Sequence, residues 1–172
     1  MVILDVTAGN RMIWKNSKHP SDIIFIDKEF GFKINQDIIA DNRKLPIRKD
    51  IQIDSIIFDP PWGLNMPPWW VDKNPNDVTA TYYGDFKSKR ELISYIHKAQ
   101  KEFQQYTNRL CFKWGERNVS LWKILPLFTR EGWIEINRKE IKEKRNAKGA
   151  SSNKNWWITF MRIKSTCGED EK

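Results

Sequence analysis

Residues 55 to 63 read SIIFDPPWG, and the types and order here suit chemistry better than they suit packing. Ile56, Ile57 and Phe58 form an apolar run that ends on Asp59, Pro60, Pro61 and Trp62. Each proline locks its own φ and drives the residue before it into extended backbone. Asp59 is therefore presented in a fixed direction at the end of a buried strand, beside a large flat ring. A plain turn has no need of that stiffness; a site that must aim an acid does.

Three more aspartates, Asp5, Asp27 and Asp41, stand at the ends of apolar runs upstream. Taken singly, each has the simpler role of capping a helix or closing a turn. As a set they ask for a ligand. After Asp5, the residues Thr7, Ala8, Gly9 and Asn10 are small enough for backbone to approach a bound molecule closely where a helix begins. Asp27, followed by Lys28, comes about 20 residues later, where a carboxylate takes both hydroxyls of a ribose. Asp41 and Asn42 end a third run, within reach of an adenine amino group. Gly9 is the only glycine of the first loop and GxxxxGK is missing, which argues against a triphosphate in a P-loop. A ribose and an adenine without a phosphate point to S-adenosylmethionine, its amino-acid end over residues 7 to 10. His19 and His97 have no ligand-spaced partners, and Cys111 and Cys167 form no CxxC pair, so no metal is expected.

The elements that must position these residues follow from hydrophobic patterning. Apolar runs at 2–6, 22–27, 37–46 (a short strand and a loop) and 55–58 are continuous rather than alternating, as in parallel strands covered on both faces. Ser88 heads a helix in which Leu92, Ile93, Ile96, Ala99 and Phe103 recur at helical spacing. RLCFKWG (109–115) reads as a strand, and VSLWKILPLF (119–128) as a helix interrupted near Pro126. GWIEINRKEI and NWWITFMRI read as two strands of a hairpin. Together they predict an α/β, Rossmann-like, mostly parallel sheet with helices on both faces and a C-terminal antiparallel hairpin. Ligands of such sheets bind at the carboxyl ends of the strands, near the point where strand order reverses.

A chain of 172 residues, 40% hydrophobic and 13% aromatic, suits one folded domain, assigned to residues 1–165, and a polar tail at 166–172. Residues 63–86, with three prolines, form a long loop beside the candidate site. Residues 138 to 154 carry seven Lys or Arg against two Glu, which makes the hairpin loop at 138–155 the most basic part of a chain of net charge +8. That balance favours a polyanionic partner, DNA or RNA. With no charged leader and no long apolar run, a soluble cytoplasmic protein away from membranes is expected.

The order DVTAGN, IDKE, ADNRKLP, FDPPW and FKWGE resembles the class I S-adenosylmethionine-dependent amino-methyltransferases that carry a D-P-P-aromatic motif, in particular their small phage, archaeal-virus and bacterial members. The resemblance runs over residues 3 to 163 and takes in YYGDF and KGASSNKNWWITFM. Arg11 departs from it, standing where many relatives have a second glycine. The resemblance implies methyl transfer to an exocyclic amine of a nucleic-acid base. Adenine N6 is preferred to cytosine N4, whose enzymes tend to have Ser in place of Asp59. The Asp59 carboxylate and the Pro60 carbonyl would each accept one N–H of the amine, with Pro61 stiffening the turn and Trp62 stacking on the base.

Such a base must be flipped out or unpaired. Trp69, Trp70, Tyr82 and Tyr83 are candidates to clamp it, or else they pack the loop down. Lys142, Lys144, Arg145 and Lys148 are candidates for phosphate contacts. The resemblance adds Ser152 and Asn153 near the site, and Lys113, Trp114 and Glu116 as minor lining of the pocket. Target recognition is expected to be short, loose or shared across a homodimer. Two other readings are a non-catalytic nucleic-acid-binding subunit of the same fold, and a methyltransferase for a protein side-chain amide.

Overall fold

The computed structural model describes residues 1–8, 11–14, 22–28, 36–61, 63–64, 86–141 and 154–163. Its strands are β1 (Ile3–Asp5), β2 (Ile23–Asp27), β3 (Ile38–Ile39), β4 (Ser55–Phe58), β5 (Arg109–Gly115), β6 (Trp133–Ile141) and β7 (Asn155–Arg162). A short 3₁₀ turn spans Met12–Trp14, and the helices are α1 (Lys89–Phe103) and α2 (Leu121–Thr129). The seven strands form one sheet in the order β3-β2-β1-β4-β5-β7-β6. Neighbours from β3 to β5 are parallel, whereas β7 is antiparallel to both β5 and β6. The chain steps outward from β1 to β3 and then returns past β1 to β4. The strand order thus reverses between β1 and β4, and their carboxyl ends flank a crevice of the kind where such sheets take ligands.

Strand alternation sorts the side chains into two faces. Leu4, Ile26, Ile56, Phe58, Leu110, Phe112, Trp114, Ile158 and Phe160 point to one face and are buried with residues of α1 and α2 in a single core. Aromatic rings tie it together: Phe128 stacks on Phe160 with centroids 4.6 Å apart, and Phe58 meets Phe103 edge-on at 5.1 Å. Ile3, Ile23 and Phe25 point to the other face, where Ala8 and Trp14 of the 3₁₀ turn cover them. Both helices among the described residues thus lie on one face. Across β6 and β7 the second face leaves Ile134 and Met161 exposed.

Local chemistry explains the element ends. The Ser88 hydroxyl accepts the Glu91 N–H at 3.2 Å, and the Glu91 carboxylate accepts the Lys87 N–H at 2.8 Å, a reciprocal cap at the start of α1. Helix α2 departs from expectation in two respects. It starts at Leu121 rather than 119, with Ser120 as N-cap making no side-chain bond there and Glu116 accepting the Leu121 N–H at 2.7 Å instead. It also runs through Pro126 without interruption. The hydrogen bond that Pro126 lacks would have gone to the Trp122 carbonyl. Trp122 and Pro126 both lie on the exposed side of α2, away from the core.

Candidate active site at the carboxyl ends of β1 and β4

Asp5 ends β1, fully buried. Its carboxylate accepts Trp14 Nε1 at 2.8 Å and the Thr7 N–H at 3.2 Å. Burial pushes its carboxyl up to about 6 against those two hydrogen bonds, with the negative charges of Asp59 and Asp27 pushing the same way. Asp5 therefore works as a brace: it pins the 3₁₀ turn and the loop after β1 in place.

That loop is stitched to its neighbours. The Ala8 N–H donates to the Ile26 carbonyl and the Val6 N–H to the Ile57 carbonyl, each at 3.1 Å. The Thr7 hydroxyl accepts the backbone N–H of Asp59 at 2.7 Å. The expected cofactor loop and the D-P-P turn are thus joined directly across the β1–β4 crevice. Arg11 has φ +59, in the left-handed region that glycine enters freely. The backbone shape expected of a glycine is kept, and the side chain is held by stacking 3.7 Å from the Phe25 ring centroid and by Asp37 at 3.4 Å.

Asp27 ends β2 half-buried, with Lys28 exposed beside it. Its backbone carbonyl accepts the Ala40 N–H at 2.9 Å, so β2 brings the loop at 40–42 to the same edge. β3 is shorter than expected, and Asp41 lies in the turn beyond it rather than at its end. The Asp41 carboxylate accepts Nε and the backbone N–H of Arg43 at 2.9 and 2.8 Å, and this partner holds its carboxyl below the usual range. Asn42 is buried; its amide donates to the Val6 carbonyl at 3.2 Å and to the Tyr95 hydroxyl at 2.6 Å. Its Oδ1 is buried and has no hydrogen-bond partner among the described residues.

Asp59 follows β4, half-buried, with Pro60 buried behind it and Pro61 half-buried. Parallel pairing of Phe58 with Phe112 sets the next residues of the two strands side by side, and Lys113 Nζ lies 2.8 Å from Asp59 Oδ2. The resemblance implies only a minor lining role for Lys113, and the register of β4 against β5, which makes this contact, is not written in either strand. Trp114 and Glu116 do not line a pocket: Trp114 is core, donating Nε1 to the Val119 carbonyl at 3.0 Å, and Glu116 caps α2. Strand alternation carries the correction for Trp114, which points to the helical face opposite Lys113. Thr7 was expected only beside the cofactor, and its bond to Asp59 N–H had no signal in the sequence.

Asp5, Thr7, Ala8, Asp27, Lys28, Asn42, Asp59 and Pro60 thus gather at one edge of the sheet, with Asp41 turned onto Arg43. Gly9, Asn10, Trp62, Trp69, Trp70, Tyr82, Tyr83, Lys142, Lys144, Arg145, Lys148, Ser152 and Asn153 lie outside the described residues. Among the described residues no cluster of metal-ligating side chains occurs, and His97 pairs with Glu131 at 2.8 Å. A shallow depression lined by Asp54, Thr107, Arg109 and Met161 sits at the opposite, amino end of β4 and β5. No helix among the described residues is long and apolar enough to cross a membrane.

No family model and no curated protein matches the sequence. Solved structures do share its architecture. PH1948 from Pyrococcus horikoshii, whose proposed activity is RNA methylation, superposes with a TM-score of 0.51 at 11% identity, over 96% of this chain and 74% of its own. The catalytic domain of hMettl16 in complex with MAT2A 3'UTR hairpin 1 gives a TM-score of 0.56 at 11% identity, over 95% of this chain. The same domain with hairpin 6 gives 0.54 at 10% identity. The fold is that of the class I methyltransferases. In that fold the β1–β4 crevice described above is the switch point of the sheet. The present chain spans 64% of the length of the hMettl16 chains.

Proposed function

We propose that the protein is an S-adenosylmethionine-dependent methyltransferase acting on an exocyclic amino group of a nucleic-acid base, with adenine N6 the preferred acceptor. The observation that carries this reading is the position of Asp59 and Pro60. They follow β4 at the switch point, bonded through Thr7 to the loop after β1.

The residues around β1 to β3 suit the donor. Asp27, half-exposed at the end of β2, is an acceptor of the kind a ribose requires. Oδ1 of Asn42 is a buried acceptor without a donor among the described residues, and an adenine amino group is a donor of the matching kind. Bound there, S-adenosylmethionine supplies a methyl group activated by a sulfonium.

The chain's own residues would do the rest. An exocyclic amine is a poor nucleophile because its lone pair is delocalised into the ring. The Asp59 carboxylate and the Pro60 carbonyl can each accept one N–H, which favours a pyramidal nitrogen with its lone pair aimed out of the ring plane. Positioning and polarisation of this kind contribute several kcal/mol, roughly 3 or more. Pro60 and Pro61 keep both acceptors in place without reorganisation. Trp62, next in the chain, would offer a stacking face worth about 1–3 kcal/mol. The base must arrive unpaired or flipped, and the aromatic residues at 69, 70, 82 and 83 are the clamp we assign to it. Lys142, Lys144, Arg145 and Lys148 would meet phosphates, making binding fall steeply with salt.

RNA is the first acceptor to test, since hMettl16 shares the fold and was crystallised with an RNA hairpin. The experiment is transfer of labelled methyl from S-adenosylmethionine to RNA and DNA pools, followed by nucleoside mass spectrometry. N6-methyladenosine or its deoxy form is expected. Cofactor binding without label in either pool would favour the non-catalytic subunit, and label on protein alone would favour the amide acceptor.

A further inference from the structure

One cation of the chain is built against the motif acid. Along β5 the alternation of RLCFKWG buries Leu110, Phe112 and Trp114 under the helices and turns Cys111 and Lys113 to the other face. The pairing of Ile57 with Cys111 and Phe58 with Phe112 then fixes Lys113 beside Asp59. The contact is 2.8 Å, and the two side chains keep only 24% and 26% of their exposure. At that depth an ion pair is screened far less than on an open surface. Lysine is a compact point charge rather than a planar fork, so it engages Asp59 through Oδ2 without the two-oxygen grip an arginine takes. From the loop after β1, the Thr7 hydroxyl holds the Asp59 backbone N–H. The acid is therefore fixed twice, by β1 through its backbone and by β5 through its carboxylate.

We infer, resting on the function proposed above, that Lys113 is a positioning residue for Asp59: it keeps the carboxylate ionised and oriented to accept an amine N–H, and leaves it too weak a base to keep the proton. In the transfer the nitrogen lone pair forms the new N–C bond while the C–S bond breaks and its electrons return to sulfur. The nitrogen becomes cationic and must lose one proton. A carboxylate sharing a lysine cation holds that proton poorly, so it passes to water. Asp59 then serves by direction and charge. Among the described residues, the charged groups shown to act with it are Lys113 on β5 and Asp5 on β1. The charge of Asp5 opposes a second negative charge on Asp59, and Lys113 favours it.

The test compares the wild type with Lys113→Met and Lys113→Arg, each checked for an unchanged far-ultraviolet spectrum. ¹³C-carboxyl resonances are titrated, with Asp59 assigned by its loss in Asp59→Asn. In Lys113→Met the Asp59 midpoint should rise by about one pH unit. The acid limb of the kcat profile should rise with it, at unchanged KM for S-adenosylmethionine. Lys113→Arg should restore both. A folded Lys113→Met protein with an unmoved midpoint overturns the inference, as does a moved midpoint with an unmoved acid limb. Lys113→Gln serves if the methionine variant does not fold. A wild type that titrates as expected but transfers no methyl to any nucleic acid rejects the function proposed above instead, and leaves the ion pair a purely structural contact.

Discussion

The two halves of the sheet are built on different principles. On one side of β4 lie β1, β2 and β3, of 3, 5 and 2 residues; on the other lie β5, β6 and β7, of 7, 9 and 8. The long strands gather Phe112, Trp114, Trp133 and Phe160 into a stacked aromatic core with Phe128 of α2. The short strands are held by side chains bonded to distant backbone and to one another. Asp5 holds Thr7 and Trp14, Asn42 holds Val6, and Asp37 accepts the Phe25 N–H at 2.8 Å. Burial of rings is non-directional and large, while such hydrogen bonds are directional and each small in net effect. One half therefore carries stability, and the other keeps polar groups aimed at the edge where a ligand would sit. Asp59 stands on the seam, held by Thr7 from one half and by Lys113 from the other.

That contrast can be broken in order of expected effect. Asp59→Ala should lower methyl transfer by about 10³-fold or more while leaving S-adenosylmethionine affinity nearly intact. Labelled transfer and calorimetry check this, and retained turnover would remove Asp59 from the site. Phe160→Ala, in the stable half, should cost about 3–5 kcal/mol in urea unfolding. A loss below roughly 1 kcal/mol would mean that the aromatic core collapses onto the gap.

Asp5 gives the sign of a pH effect in the polar half. Its folded carboxyl titrates at about 6, above the ordinary 3.8, so the folded state binds its proton more tightly than the unfolded chain does. Its contribution is fully present below the unfolded value and is lost as pH rises from about 4 through about 6. The stability of the wild type relative to Asp5→Asn should therefore fall over that window, by up to about 3 kcal/mol. A flat difference between the two unfolding curves would contradict it. Smallest is Asp27→Ala, which should weaken S-adenosylmethionine binding roughly tenfold, about 1.4 kcal/mol, with unfolding little changed. An unaltered Kd would remove Asp27 from the donor site.

What could be read beforehand was local. The bounds of β5 and the start of α1 at Ser88 follow from alternation and a capping residue, both carried within a few positions. The strand ends bearing Asp5, Asp27 and Asp59 follow from where apolar runs stop. Contacts between strands were not legible. Asn42 bonds to Val6, 36 residues back, and to Tyr95, 53 residues on. Lys113 meets Asp59 across 54 residues. Such pairings depend on register, which a strand's own sequence does not state. The family resemblance implies pocket lining for Trp114, whereas alternation along β5 places it under the helices. The cost of a proline inside a helix predicts a break at Pro126, yet α2 runs through it on its exposed side.

The place of β7 has a consequence for how the chain is made. β5 and β6 never touch in the sheet, because β7, which follows both in the chain, lies between them. A nascent chain leaving the ribosome can therefore assemble β1 to β5 early, but β6 must wait as an unjoined ribbon until residue 162 has emerged. Until then the groove that Phe160 will fill stays open, and a chaperone that shields apolar strands would find its moment there.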